Sequence, residues 1–153
     1  YIILVSKFHI LVNFPDFNFH NTMLRITRKL EYALIALSHM QMKGENLSST
    51  KEIAELYTIP SALLAKTLQK MARLEYINAV QGSHGGYKIN KSLLTITLTK
   101  FIEDLEGPVG IVDCNINSDC IQLDNCNIRI PIKQINNNIR TIFNGIRIGD
   151  ITN

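Results

Sequence analysis

The sequence predicts a mainly α-helical fold with one small β-hairpin, and three observations predict it. Apolar residues recur at helical spacing through much of the chain from Ile26 onward. Two short strand-like runs, Tyr76–Val80 and Tyr87–Ile89, flank the glycine-rich segment Gln81-Gly82-Ser83-His84-Gly85-Gly86. Near the C-terminus Ile128, Ile132, Ile135, Ile139, Ile142 and Ile146 recur in steps of four and three, a narrow seam that suits helix-on-helix packing.

At 153 residues there is room for one domain, or for a small domain with a dimerising appendage. Hydrophobic residues make up 46% of the chain, enough to bury a core. The net charge of +3 is unevenly placed: Met23 to Ser92 carries ten Lys/Arg against five Asp/Glu, and Leu93 to Asn153 carries five against seven. A basic half joined to an acidic half points to nucleic acid on the first half only. No run of about 18 apolar residues occurs, so no membrane span is expected. Three cysteines cannot pair fully and no signal-peptide pattern is seen. The expected compartment is therefore the cytoplasm, where thiols stay reduced and bind metals.

The segment from Tyr1 to Val12 is apolar, but Lys7 and His9 interrupt it and it lacks a basic front end and a cleavage site. Met23 is followed at once by a well-patterned helix. Residues 1–22 are expected to be an upstream extension outside the fold, with the natural start at Met23; the alternative is a short extra strand or an anchoring segment.

The first helix is expected between Ile26 and Met40, on the spacing of Ile26, Leu30, Ala33, Leu34, Leu37 and Met40, with Gly44 as its breaker. Ser49-Thr50-Lys51-Glu52 is a capping box that opens a short second helix ending near Tyr57. Pro60 and Ser61 open a third, in which Leu64, Leu68, Met71 and Leu74 form the buried stripe. Its opposite face carries Ala62, Lys66, Gln69 and Arg73. Two short helices joined by a tight turn, the second with a small, polar and cationic outer face, read as helix-turn-helix. The alternative is an ordinary helical hairpin whose Lys66, Lys70 and Arg73 are merely solvated. The hairpin that follows favours the first reading, since a glycine-rich tip without acidic residues directly after such a helix is a wing. Its glycines let the backbone sit close to a phosphate or enter a minor groove. His84 at the tip could touch phosphate or a base edge, or be an ordinary exposed loop histidine.

Thr97 then caps a helix with Leu98, Phe101, Ile102 and Leu105 on one face, and Gly107-Pro108 stops it. Directly afterwards Cys114, Cys120 and Cys126 stand at a C-x5-C-x5-C spacing. Six residues turn about 240° around a helix, so the thiols cannot share one helical face. The Asp, Asn and Ser residues between them favour turns. A loop able to gather its sulfurs around a common centre is expected, one ligand short of the usual set for an iron–sulfur cluster or a structural zinc. The spacing does not match the C-x2-4-C pairs of zinc sites.

In the C-terminal helix Pro131 is tolerable only in the first turn, and Asn136, Asn137 and Asn138 are poor helix formers. Such a helix needs a partner. A second copy of the chain is the expected one; the alternative is docking on the helix at Ile26–Met40, and the two are compatible. The complete expectation is a winged helix-turn-helix domain plus a C-terminal dimerisation helix. Its parts are the extension at 1–22, the DNA-binding domain at 23–106, the cysteine loop at 107–127, and the dimerisation helix and tail at 128–153.

Taken in order, MLRITRKLEYALIAL, EIAELYTIP, LLAKTLQKMARLEYI, VQGSHGGYKI, TITLTKFIEDLEGP and the C-x5-C-x5-C loop resemble the IscR- and NsrR-type (Rrf-two) winged-helix transcription regulators. The resemblance runs from Met23 to about Ile151. The MLRIT opening and the EGP before the cysteines look closest to regulators of the SUF cluster-assembly system. The resemblance implies a cytoplasmic homodimer that binds double-stranded operator DNA through helix and wing and an iron–sulfur cluster through its cysteines. A 2Fe–2S form is favoured, with 4Fe–4S open. The implied metal ligands are Cys114, Cys120 and Cys126. The histidine that serves IscR as fourth ligand is replaced here by Arg129, a departure from that ligand set. Other members take a carboxylate from the partner's first helix, which falls here on Glu31. A glutamate oxygen is a weak, exchangeable ligand for iron; the alternative role for Glu31 is to favour the positive end of its helix.

By the same resemblance, the DNA contacts fall on Ser61, Ala62, Ala65, Lys66, Gln69 and Lys70 of the second helix of the motif. In the wing they fall on Gln81, Ser83, His84, Gly85 and Tyr87, with Arg28 and Lys29 on the backbone. Lys66 and Gln69 are expected in the major groove and Ser61 on phosphate. Gln81 stands where IscR has a wing arginine and Ala65 where it has a discriminating glutamate, so operator preference is not expected to copy IscR's. A glutamine can still pair bidentately with adenine.

The function expected is a cluster-sensing repressor of iron–sulfur cluster assembly genes. The alternative is a cluster-free regulator switched by thiol oxidation or zinc. A cysteine enzyme ranks below both, because a nucleophile needs a base held nearby and nothing places His39 or His84 beside the loop.

Overall fold

In the computed structural model, which describes residues 26–111 and 120–152, helices begin where capping side chains stand. The extension at 1–22 and Cys114 lie outside the described residues. Helix α1 (Arg28–Lys43) starts at Thr27, whose hydroxyl accepts the Leu30 amide at 3.2 Å. It ends at Gly44, whose φ of 62° is a left-handed value that costs glycine little. Helix α2 (Thr50–Leu56) opens with the reciprocal capping box of Ser49 and Glu52 expected from sequence. Helix α3 (Ser61–Arg73) follows Pro60.

The buried stripe of α3, Leu64, Leu68 and Met71, packs into a core built with Ala33, Ala36, Leu37 and Met40 of α1 and Ile53 of α2. Each large side chain in such a core contributes about 1.5–3 kcal/mol by leaving water. A polar tie also joins α1 to α2. Lys43 Nζ donates to both carboxylate oxygens of Glu52 at 2.8 and 3.0 Å, and His39 Nε2 lies 3.2 Å from the same carboxylate. The Lys43 ammonium holds the Glu52 carboxyl below its ordinary value.

Strands β1 (Ile77–Val80) and β2 (Gly86–Ile89) pair antiparallel, with Ile77 opposite Ile89 and Val80 opposite Gly86. Ser48 adds a bridge that the sequence pattern did not reveal: its N–H donates to the Tyr87 carbonyl and its carbonyl accepts the Tyr87 N–H, both at 2.9 Å. This pins strand β2 to the segment before α2. A 3-10 turn at Lys91–Thr95 leads to α4 (Leu98–Glu106), capped by Thr97 as expected, with Phe101 and Leu105 fully buried.

Helix α5 (Arg129–Gly145) keeps Pro131 in its first turn and lies along α4. Its isoleucine seam is left largely open: Ile128, Ile135 and Ile142 are 57%, 48% and 62% exposed. The buried residue on α5 is Asn136, not an isoleucine. The chain then turns back into α6 (Ile148–Thr152), which packs on α1 and delivers Ile148 to the core. From sequence alone this end reads as a tail. Its burial follows from contacts with residues about a hundred positions earlier, such as the Thr152 hydroxyl donating to Gln41 Oε1 at 3.3 Å. Among the described residues no helix is long and apolar enough to cross a membrane.

Candidate nucleic-acid interface and cysteine loop

The turn between α2 and α3 is made by Thr58 at φ 53° and by Ile59, whose N–H donates to the Ala54 carbonyl at 2.9 Å while its side chain is buried. That geometry presents the outer face of α3 to solvent. Ser61, Ala62, Lys66, Gln69 and Arg73 are all exposed, and Ala65 is half-buried beside them. Lys70 departs from the set. Its Nζ donates to the Leu105 carbonyl at 2.8 Å, so the structure turns it towards the end of α4.

In the hairpin Gln81, Ser83 and His84 are exposed at the tip, and Tyr87, opposite Ala79 one pair from the tip, is half-buried against the core. Gly85 closes the tip, its N–H donating to the Gly82 carbonyl at 3.0 Å. A Cβ at Gly85 would stand 2.3 Å from the Val80 carbonyl oxygen, so no other residue fits without moving backbone. The variant Gly85→Ala is expected to lose about 1–3 kcal/mol in urea unfolding and to weaken DNA binding in the same preparation. Unchanged stability and unchanged binding would show the tip to be free to rearrange.

At the start of α1, Arg28 is exposed and its guanidinium donates to Glu31 at 2.8 Å. Glu31 stands in the first turn with a half-exposed carboxylate, placed both to interact with the helix end and to reach outward. Lys29 pairs with Glu106 at 3.1 Å, so its charge is directed to the end of α4.

Of the cysteine loop, Cys120 and Cys126 are described; both are free thiols and half-buried, and Cys126 follows the 3-10 turn Leu123–Asn125. Among the described residues no three His, Cys, Asp or Glu side chains come together as a metal site. The donors nevertheless fit an iron–sulfur cluster in kind: the two described thiols are unpaired and share one loop, and thiolate is the ligand such clusters take. The way into the loop is held firmly. Val109 N–H donates to Glu103 Oε1 at 3.3 Å, and Arg140 donates to the same Glu103 oxygen at 2.5 Å and to the Val109 carbonyl at 3.4 Å. The Arg140 guanidinium keeps the Glu103 carboxyl below its ordinary value.

Nothing in the sequence pattern singles out Glu103 and Arg140, or Tyr76, whose hydroxyl donates to Asp104. Burial pushes the Tyr76 hydroxyl above its ordinary value. At Asp104 burial opposes ionisation, but hydrogen bonds from Lys100 and Tyr76 outweigh it and hold the carboxyl low. Apart from the Lys100–Asp104 pair four residues apart on one helix, these partners are far apart in sequence, and no spacing rule would have found them.

Comparison with known proteins agrees with this arrangement. The family model described as Rrf2, iron-dependent transcriptional regulator, matches residues 26–153. A protein of Aquifex aeolicus named as an HTH-type transcriptional regulator is 28% identical over 81% of this chain and 88% of its own length. Among solved structures, CymR, the global cysteine regulator of B. subtilis, superposes with a TM-score of 0.65 at 22% identity, covering 84% of this chain and 96% of that one. IscR of T. potens gives a TM-score of 0.63 at 21% identity, covering 84% and 85%. These superpositions match the mostly helical fold with its two-stranded wing.

Proposed function

The chain belongs to the Rrf2 family of iron-dependent transcriptional regulators, and we propose that within it this protein is an iron–sulfur cluster-sensing repressor of cluster-assembly genes. Regulators of this family bind DNA and are not enzymes. The finer reading is a cytoplasmic homodimer in which cluster occupancy controls operator binding. The observation that carries it is a three-cysteine loop whose described thiols, Cys120 and Cys126, are free and half-buried, with its entry clamped to the end of α4.

In this reading Lys66 and Gln69 enter the major groove from the exposed face of α3, and Ser61 meets a phosphate at the start of that helix. Gln81, Ser83 and His84 follow the flanking backbone or minor groove from the wing. Arg28, exposed at the start of α1, adds a contact to the DNA backbone. The open seam of Ile128, Ile135 and Ile142 packs against its copy in a second subunit, which sets the spacing of two half-sites. Cys114, Cys120 and Cys126 hold the cluster, and the half-exposed Glu31 of the partner subunit supplies the exchangeable fourth ligand. When bound, the cluster supplies a link that iron supply or oxidants can break.

The test is a visible absorption spectrum with iron and sulfide analysis on protein purified without oxygen. Wild type is expected to be brown with matched iron and sulfide. Cys120→Ala is expected to be colourless, and Glu31→Ala coloured but quickly bleached in air. Colourless wild type, even after anaerobic reconstitution, would sink the cluster reading. The free thiols of Cys120 and Cys126 would then favour a regulator switched by thiol oxidation or zinc.

A further inference from the structure

The last turn of α4 sends the polar groups of four successive residues to four different parts of the molecule. Glu103 accepts from the Val109 amide at the mouth of the cysteine loop and from Arg140 of α5. Asp104 accepts from the Tyr76 hydroxyl and from Lys100 at 2.6 Å. The Leu105 carbonyl accepts from Lys70 of α3 at 2.8 Å. Glu106 accepts from the Thr27 hydroxyl at 2.6 Å and pairs with Lys29 at 3.1 Å, both at the start of α1.

A helix end carries carbonyls without helical partners and a partial negative charge, so a lysine there is well matched. What is unusual is where that lysine comes from: it is part of the helix whose neighbouring side chains face outward to read DNA. Tyr76 has the same double attachment. Its N–H donates to the Met71 carbonyl of α3 at 3.0 Å, and its carbonyl accepts from Asn90 beyond β2 at 3.0 Å. Tyr76 is therefore tied to both the helix and the wing. Its ring also rests on Phe101 of α4, with centroids 5.5 Å apart. Phe101 and Leu105 are fully buried, so this turn is fixed in the core and passes displacement on as a body.

We infer that the last turn of α4 is the joint through which the cysteine loop sets the position of the reading helix and wing of its own subunit, with Lys70 and Tyr76 as positioning residues. The inference rests on the cluster-sensing reading for its signal, but the joint is a property of the chain without any cluster. It adds a route within one subunit to the one that would run through Glu31 of the partner subunit. It also takes Lys70 out of the DNA-contacting set and places it behind that surface.

The experiment uses full-length protein and the variants Tyr76→Phe, which keeps the ring on Phe101, and Lys70→Met, which keeps most of the stem. Amide hydrogen exchange is followed first on reduced, metal-free protein. Loss of either tie is expected to speed exchange about tenfold or more in α3 and also in residues 107–111, with little change in α1 and α2. Faster exchange confined to α3, or raised equally everywhere, would overturn the joint. DNA binding is then measured over a range of salt. Lys70→Met should leave the slope of log affinity against log salt unchanged, whereas a phosphate contact would lower that slope by about one; the second result would return Lys70 to the DNA surface. Finally, the ratio of DNA affinities with and without cluster should fall at least fivefold in Tyr76→Phe at unchanged iron content, and a ratio equal to wild type would overturn the assigned role. Should wild type assemble no cluster, the sensing reading fails on that result, and the exchange pattern still decides the joint.

Discussion

Phe101→Ala is expected to destabilise the protein by about 3–5 kcal/mol, the cost of emptying a fully buried aromatic site. Phe101 is enclosed by the core that α1, α3 and α4 share, and the Tyr76 ring leans on it. Little can collapse into the space, because Leu105, one turn on along α4, is itself fully buried in the same core. Against a typical total of about 5–15 kcal/mol, the loss is large. A thermal melt should move down by roughly 10 °C or more. A shift of a degree or two would mean that α4 is peripheral to the fold.

Gln69→Ala and Lys66→Ala are expected to damage DNA binding in two different ways. Both side chains are exposed on the outer face of α3 and neither is shown in a tie to the fold, so stability should stay within about 0.5 kcal/mol. Gln69, if it reads a base edge bidentately, supplies about 1–3 kcal/mol of discrimination. Its loss should cost roughly tenfold to a hundredfold on the preferred sequence and relax selection at one base pair. Lys66 brings charge as well, so its loss should also reduce the salt slope by about one if it lies on a phosphate. Titrations of each variant against a panel of single-base operator changes separate the two effects. Wild-type affinity and selectivity in both variants would remove α3 as the reading helix.

The local parts of the fold were legible because local chemistry decides them. Ser49 with Glu52, Thr97, Gly44 and Pro60 stand where helices start or stop, and each does so through contacts within a few residues. The alternation of Leu64, Leu68 and Met71 with Lys66 and Gln69 separated the inner face of α3 from the outer one. What was not legible depends on chain segments that meet only in the folded state. Lys70 and Lys66 look equivalent in sequence, yet Lys70 lies within reach of the Leu105 carbonyl and Lys66 does not turn inward. Lys29 is likewise drawn to Glu106. On α5 the isoleucine spacing marked a seam, but not that the helix would turn Asn136 and Arg140 inward and leave isoleucines exposed. The return of α6 to α1 rests on Ile148 alone among large apolar residues, too little for a periodicity to register.

The central claim is that cluster occupancy controls DNA binding, and one measurement meets it directly. Sheared DNA from the source genome is enriched on the anaerobically loaded protein and separately on the same protein stripped of iron, and the affinity of each enriched fragment is then titrated against both forms at fixed salt. The account predicts at least a tenfold difference in affinity between the two forms on the same fragment, within the ordinary range of coupling between two sites. Equal affinities in the loaded and stripped forms would contradict it, leaving a family regulator whose DNA binding is governed by something other than its three-cysteine loop.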